Sequence, residues 1–176
     1  MENIEKTINT KRVFDGKIIN LRVDEVLLPN GRKSTREIVE HRGGVGIVAV
    51  VDKKIIFVKQ FRKPLEESIL EIPAGKLEVN EDPYECAIRE MEEETGFVPQ
   101  SLKLLTCIYT TPGFTNEKLY IYFTDDLKKG TVNMDEDEII DIEYYGLPEI
   151  LDMINTGLIK DAKTICGVLM YKTMIV

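Results

Sequence analysis

The sequence is poor in the residues from which covalent and redox sites are built. Among 176 residues it has one histidine, His41, and three cysteines, Cys86, Cys107 and Cys166. The cysteines are far apart, odd in number and form no C-x-x-C pair. That suggests no zinc site or disulfide framework and fits reduced, partly buried thiols. No Ser/His/Asp or Cys/His triad can be assembled around that one histidine, which sets covalent hydrolase mechanisms aside. At the end of an edge strand, His41 reads as structural. The longest apolar stretch, Val45 to Val51, falls far short of the ~20 residues that span a bilayer. Met1 to Lys6 lacks the basic-then-apolar order of a signal peptide, so the expectation is a cytoplasmic protein with no membrane partner. A Lys/Arg stripe is missing too. Acidic residues outnumber basic ones 31 to 23, for a net charge of −8. That balance argues against a nucleic-acid partner. An acidic protein can still take a phosphorylated substrate, provided metal ions bridge the like charges.

What is present is enough for a core. At 43% apolar residues the chain can bury one continuously, and its length suits one domain with a small appendage. The first forty-odd residues read as antiparallel strands: Ile18 to Leu28 goes out, Asn30-Gly31 turns, and Arg36 to His41 returns. After a break at Gly43-Gly44, Val45–Val51 and Ile55–Phe61 flank Asp52-Lys53-Lys54 as a second hairpin, with a strand near Ile69–Ile72. Their continuous apolar runs predict a sheet covered on both faces. Further strands are predicted at Leu102–Thr110, Lys118–Thr124 and Ile139–Tyr145. Two closing helices follow, Pro148–Asn155 and one capped by Asp161 that runs to about Thr173. The fold class is an α/β sandwich with a mixed sheet, plus a small N-terminal antiparallel sheet.

The clearest helix starts at Asp82, an N-cap followed by Pro83, with Glu85 completing a capping box, and it stops at Gly96. Tyr84, Ile88, Met91 and Thr95 share one arc, predicted to face the core. Glu90 and Glu94 stand four apart on one face, with Glu93 about 60° around; Glu92 points toward solvent. Like charges so placed destabilise a helix by a few tenths of a kcal/mol per pair. Spacing alone allows two readings: a solvated acidic face, or a hard-cation site.

The surrounding residues decide between them. Gly75, five residues, Glu81, seven residues, Arg89-Glu90-Met91-Glu92-Glu93-Glu94-Thr95-Gly96-Phe97 resembles the Nudix box of the Nudix hydrolases at every fixed position. Seven fixed letters occur by chance on the order of 10⁻⁵ times in a chain this long. The resemblance implies a Nudix-fold α/β/α sandwich and cleavage of a nucleoside diphosphate linked to another moiety. It also implies Mg²⁺ as cofactor, with Mn²⁺ as a substitute. By that resemblance Glu90 and Glu94 are metal ligands, joined by Glu93 and the backbone carbonyl of Ala74. Arg89 then orients a box glutamate, Glu81 supports the loop–helix junction, and Gly75 makes a turn where a Cβ would intrude.

Within the family the chain resembles the ADP-ribose pyrophosphatases. Pro112 lies 15 positions after Phe97, in Thr110-Thr111-Pro112-Gly113-Phe114-Thr115, an offset that marks that branch. Pro112, Gly113 and Phe114 become candidate substrate contacts; read bare, Pro-Gly is a turn. Gln60-Phe61-Arg62-Lys63-Pro64 resembles the strand end that offers an arginine to the diphosphate, which makes Arg62 a candidate contact and Arg36 a second. The aromatic that some members carry after the first glycine is missing, since Gly16 is followed by Lys17-Ile18. Asp135-Glu136-Asp137-Glu138 reads from charge alone as a solubilising loop. By resemblance it supplies Glu136 as catalytic base and Glu138 as a further metal ligand, with Glu93 the alternative base. Residues 1–43 are expected to form a dimerisation sheet that makes the protein a homodimer, and residues 44–176 the hydrolase domain. The expected reaction is hydrolysis of ADP-ribose to AMP and ribose 5-phosphate. The alternatives are another nucleoside diphosphate sugar such as GDP-mannose, a nucleoside triphosphate, or a non-catalytic ADP-ribose sensor.

Overall fold

Alternation along the apolar runs sends successive side chains to opposite faces of one sheet, and each face is covered by helix. The computed structural model describes residues 3–131, 133 and 139–175. The chain divides into two units, Met1–Gly43 with Tyr109–Lys118, and Gly44–Ile108 with Leu119–Val176.

In the first unit, β1 (Lys6–Asp15), β2 (Asn20–Leu27) and β3 (Lys33–Glu40) form an antiparallel sheet in that order. The Asn30-Gly31 turn is closed by Gly31 N–H donating to the Leu28 carbonyl at 2.9 Å. β3 begins three residues before the predicted Arg36, because Lys33 and Ser34 extend the ladder against Leu27 and Val26. β1 is exposed along its whole length, while β2 buries Asp24 and Val26. Arg12 and Arg22 both clasp Glu40. The Pro112 segment is bonded to β3, with Val39 N–H donating to the Phe114 carbonyl at 2.8 Å.

The second unit holds β4 (Gly44–Val51), β5 (Lys54–Arg62), β6 (Glu67–Glu71), β7 (Ala74–Lys76), α1 (Pro83–Thr95), β8 (Phe97–Pro99), β9 (Lys103–Tyr109), β10 (Lys118–Thr124), β11 (Leu127–Lys129), β12 (Ile140–Gly146), α2 (Leu147–Asn155) and α3 (Ala162–Ile175). The main sheet runs β12-β5-β4-β10-β9 and is mixed: β10 is parallel to β4, and β12 is antiparallel to β5. Val45, Ile47 and Ala49 of β4 meet Cys86, Ala87 and Met91 of α1 on one face. Val48, Phe57 and Ile121 meet Ile150 of α2 and Val168 of α3 on the other. The architecture is therefore the expected α/β/α sandwich with a small N-terminal sheet.

The β4–β5 hairpin turns through Asp52 and Lys53, both at positive φ, 49° and 64°, as a two-residue turn matched to strand twist requires. Beyond the hairpin the two strands part. They pair only at Val50–Ile55 and Val51–Lys54. Further on, β5 pairs β6 from Val58–Glu71 to Arg62–Glu67, and β4 pairs β7 from Gly44–Lys76 to Gly46–Ala74. The β6–β7 segment crosses the parting, fixed by Ile47 N–H donating to the Pro73 carbonyl at 2.8 Å.

Candidate active site

The parting between β4 and β5 brings a charged residue and a glycine to the same stretch of sheet, and α1 lies against it. The helix is held at both ends. Asp82 accepts from Tyr84 N–H at 2.8 Å, so the cap bond goes to the second helical residue. Gly96 sits at φ 71° and donates to the Glu92 carbonyl, a left-handed ending that a residue with Cβ adopts only with strain. Its buried residues are Cys86, Ala87, Met91, Glu94 and Thr95. The buried arc is rotated from the predicted one toward Glu94, and Tyr84 is exposed. The reason is that α1 packs against both β4 and β7, which draws the Glu94 side of the helix inward.

Glu94 is 4% exposed. A buried carboxylate is costly unless it receives hydrogen bonds, and Ala74 N–H donates one at 3.0 Å. Gly75 occupies strand rather than the predicted turn, but the predicted intrusion is there: a Cβ on it would overlap the Glu90 carboxylate. Glu90 and Glu94 are thus brought to consecutive residues of β7. Arg89 gathers the remaining box acids. It donates to Glu81 through Nε at 2.8 Å and Nη2 at 3.0 Å, to Glu93 at 2.9 Å, and pairs with Glu90 at 2.9 Å. These two Arg89 bonds hold the Glu81 carboxyl down to about 2, helped by Glu78 N–H. Burial pushes the Cys86 thiol in the opposite direction.

Among the described residues no three acidic, histidine or cysteine side chains stand together in ion-holding geometry. The donor set that does meet at β7 is two carboxylates beside the Ala74 backbone. Hard oxygen donors without nitrogen or sulfur fit Mg²⁺ or Mn²⁺. Glu136 and Glu138 lie outside the described residues.

Arg62 ends β5, and its guanidinium is gripped by Glu71 of β6, Nε to Oε1 at 2.6 Å and Nη2 to Oε2 at 2.8 Å. The Glu94 charge reaches it as well. Arg36 belongs to the first unit and bonds Glu5, Ser34 Oγ and the Thr35 carbonyl. Pro112, Gly113 and Phe114 are in that unit too, in a turn where Phe114 N–H donates to the Thr111 carbonyl at 3.2 Å and Phe114 is 54% exposed. His41 Nδ1 lies 3.1 Å from Glu117, which also accepts from the Thr110 hydroxyl at 2.7 Å. An aromatic does stand at Gly16, but it precedes the glycine: the Phe14 ring leaves no room there for a Cβ.

One neighbour of the site differs from its reading in the sequence, and two have no reading there. Glu92 faces the Gly130–Thr131 backbone instead of solvent, accepting from Thr131 N–H at 3.3 Å. Glu71 could have been noticed as a lone carboxylate inside the apolar run Ile69-Leu70-Glu71-Ile72. Lys163, its other partner, carries no local signal, because its role depends on a contact 92 positions away.

Fold and site together define a class: an α/β/α sandwich whose helical carboxylates lie against a glycine-bearing strand. Residues 40–166 match the family model described as NUDIX domain, and residues 5–39 match the nucleoside diphosphate sugar hydrolase N-terminal domain. The chain belongs to the NUDIX domain family. It is 47% identical to an ADP-ribose pyrophosphatase of Bacillus subtilis (strain 168), over 91% of this chain and 88% of that one. It is 46% identical to a methanol dehydrogenase activator of Bacillus methanolicus, over 93% and 90%. A crystal structure of an ADP compounds hydrolase superposes with a TM-score of 0.87 at 22% identity, covering 97% of this chain and 94% of that one, a likeness of fold.

Proposed function

We propose that this protein hydrolyses the diphosphate of ADP-ribose, releasing AMP and ribose 5-phosphate. The observation that carries the reading is the convergence of Glu90 and Glu94 on Ala74–Gly75, with a glutamate-braced arginine at the end of β5. The likeness to the B. subtilis pyrophosphatase supports the substrate. The match to the nucleoside diphosphate sugar hydrolase N-terminal domain supports the wider class, in which GDP-mannose is the runner-up.

In this reading Glu90, Glu94, the Ala74 carbonyl and Glu93 would hold Mg²⁺, with Mn²⁺ as substitute and Glu138 as a further ligand. Bound there, the ion would neutralise phosphate oxygens and acidify the attacking water. Water forms the new P–O bond, the bridging P–O bond breaks, and a carboxylate takes the water's proton. Glu136 is the candidate base and Glu93 the alternative. Arg89 keeps Glu90 and Glu93 oriented while Arg62 binds the diphosphate; Arg36, Pro112, Gly113 and Phe114 are the remaining substrate contacts. Residues 1–43 form the dimerisation sheet of a cytoplasmic homodimer and residues 44–176 the hydrolase domain. Exposed Ile8, Val13, Ile18 and Ile19 favour a second copy as the partner of that sheet.

The test is kcat/KM for ADP-ribose, GDP-mannose and 8-oxo-dGTP, with Mg²⁺ and with chelator. Preference for ADP-ribose that vanishes on chelation is expected. A win for either competitor removes the substrate assignment, and full activity in chelator removes the metal site. Binding of ADP-ribose without turnover would make the chain a sensor. A second reading, action on a dehydrogenase, is favoured by the likeness to the B. methanolicus activator, and adding the protein to a methanol dehydrogenase assay tests it.

A further inference from the structure

The first turn of α3 is fastened to the residues immediately before β7. Asp161 caps the helix, accepting from Thr164 N–H at 2.9 Å and from the Thr164 hydroxyl at 2.6 Å. That hydroxyl in turn accepts from Ile72 N–H at 2.9 Å. Between these two stitches Lys163 reaches Glu71 Oε2 and lies 3.1 Å from Asp161. Glu71 is 1% exposed and Lys163 12% at their side chains, whereas the Arg62 side chain is 39% exposed. The buried carboxylate therefore has two cations, one turned inward and one turned toward the surface.

We propose that Lys163 is a positioning residue for the diphosphate subsite, sharing Glu71 with Arg62 so that Glu71 aims the guanidinium without cancelling its charge. The inference rests on the reading that Arg62 binds the diphosphate. Glu71 takes two of the five guanidinium N–H groups, fixing the plane of the group along its Nε edge. Lys163 and Asp161 add one charge of each sign, so the quartet sums to zero with its exposed member positive. Without Lys163 the same spot holds two carboxylates and one arginine, net −1, where a diphosphate must approach. Substrate binding then suffers more than the chemical step, since Lys163 is too covered by Glu71 and Asp161 to meet the reacting atoms.

The test is a kinetic cycle on the full-length protein with ADP-ribose and Mg²⁺: Lys163→Met, Lys163→Arg, Arg62→Ala and the Lys163→Met/Arg62→Ala double variant. Lys163→Met should raise KM about tenfold with kcat nearly unchanged, and Lys163→Arg should restore KM. In the Arg62→Ala background Lys163→Met should cost less than in the parent, because only the charge effect remains once there is no guanidinium left to aim. An equal, additive effect in that background overturns the inference, as does a fall in kcat at constant KM. If Arg62→Ala raises KM but Lys163→Met does not, only the role of Lys163 fails. If Arg62→Ala leaves KM unchanged, the diphosphate reading of Arg62 falls and takes this inference with it. Asp161→Asn guards against a Lys163→Met protein that does not fold. The amide still caps α3, one negative charge is gone, and KM should drop about threefold. A rise in KM with Asp161→Asn overturns the electrostatic argument.

Discussion

Replacing Gly75 by alanine tests the contact between β7 and α1 with a single methyl group. Gly75 lies in strand at ordinary φ, so the backbone accepts alanine, and at such positions Gly→Ala tends to stabilise by about 0.4–1 kcal/mol. The methyl group, however, would overlap the Glu90 carboxylate. Ordinary contact between such atoms needs about 3.5 Å, so the carboxylate has to move by more than about 1 Å. Glu90 can do this by rotating its flexible end, which spares the fold but spoils its alignment with Glu94. A misplacement of about 1 Å at a reacting centre costs on the order of 100-fold. The expectation for Gly75→Ala is thus kcat/KM for ADP-ribose down about 100-fold, with a Tm equal to or slightly above the parent's. Adding Glu90→Asp, which retracts the carboxylate by one methylene, should cost less in the Gly75→Ala background than in the parent. Gly75→Ala with parental activity would refute the reasoning, because it would mean that the Glu90 position against Gly75 is immaterial. Lost activity with a Tm drop of several degrees would refute it differently, by placing the damage in the fold.

Glu94→Gln keeps the shape and the acceptor for Ala74 N–H but removes a charge that is 4% exposed. Turnover should fall by about 100-fold while Tm in chelator holds or rises, as relief of carboxylate burial requires; a marked Tm loss in chelator would show that the charge is structural. The Glu81 carboxyl sits at about 2 against an ordinary 4.5, chiefly through its bonds from Arg89. Its pair with Arg89 therefore stabilises the fold in full above pH 4.5 and loses that contribution as pH falls toward 2. Glu81→Gln should lower Tm at neutral pH and flatten the Tm–pH slope inside that window; a slope identical to the parent's would remove Glu81 as its source.

Local chemistry made much of this molecule readable in advance. The Asp82–Pro83 start and Gly96 stop of α1 depend on neighbouring residues alone, as do the Asn30-Gly31 and Asp52-Lys53 turns, and all four are present. The convergence of Glu90 and Glu94 followed from helical spacing plus the box pattern. Readings that depended on what packs against an element fared worse. Helical spacing puts Tyr84, Ile88, Met91 and Thr95 on the core-facing arc of α1; Met91 and Thr95 are buried, but Tyr84 is exposed and the helix turns its Glu94 side inward against β4 and β7. The three-residue strands β7, β8 and β11 have no periodicity of their own and exist only through their partners. Lys163 was unreadable for the same reason.

The parting of β4 from β5 explains why these features occur together. A strand pair that stayed zipped would leave β6 and β7 no edge inside the sheet. Because it opens after Val50–Ile55, one crossing segment pairs first with β5 and then with β4. Glu71 ends the first half, in register with Val58 and within reach of Arg62; Ala74 and Gly75 begin the second, under the carboxylates of α1. Only Ile72 and Pro73 separate the brace of the arginine from the seat of the glutamates, and both are fixed, Ile72 N–H by Thr164 and the Pro73 carbonyl by Ile47. Any displacement of the arginine relative to the acidic pair must therefore break the Thr164 bond, the Ile47 bond or the Arg62–Glu71 grip. The arginine and the carboxylate pair are thus held at a fixed separation by sheet geometry, without a long loop.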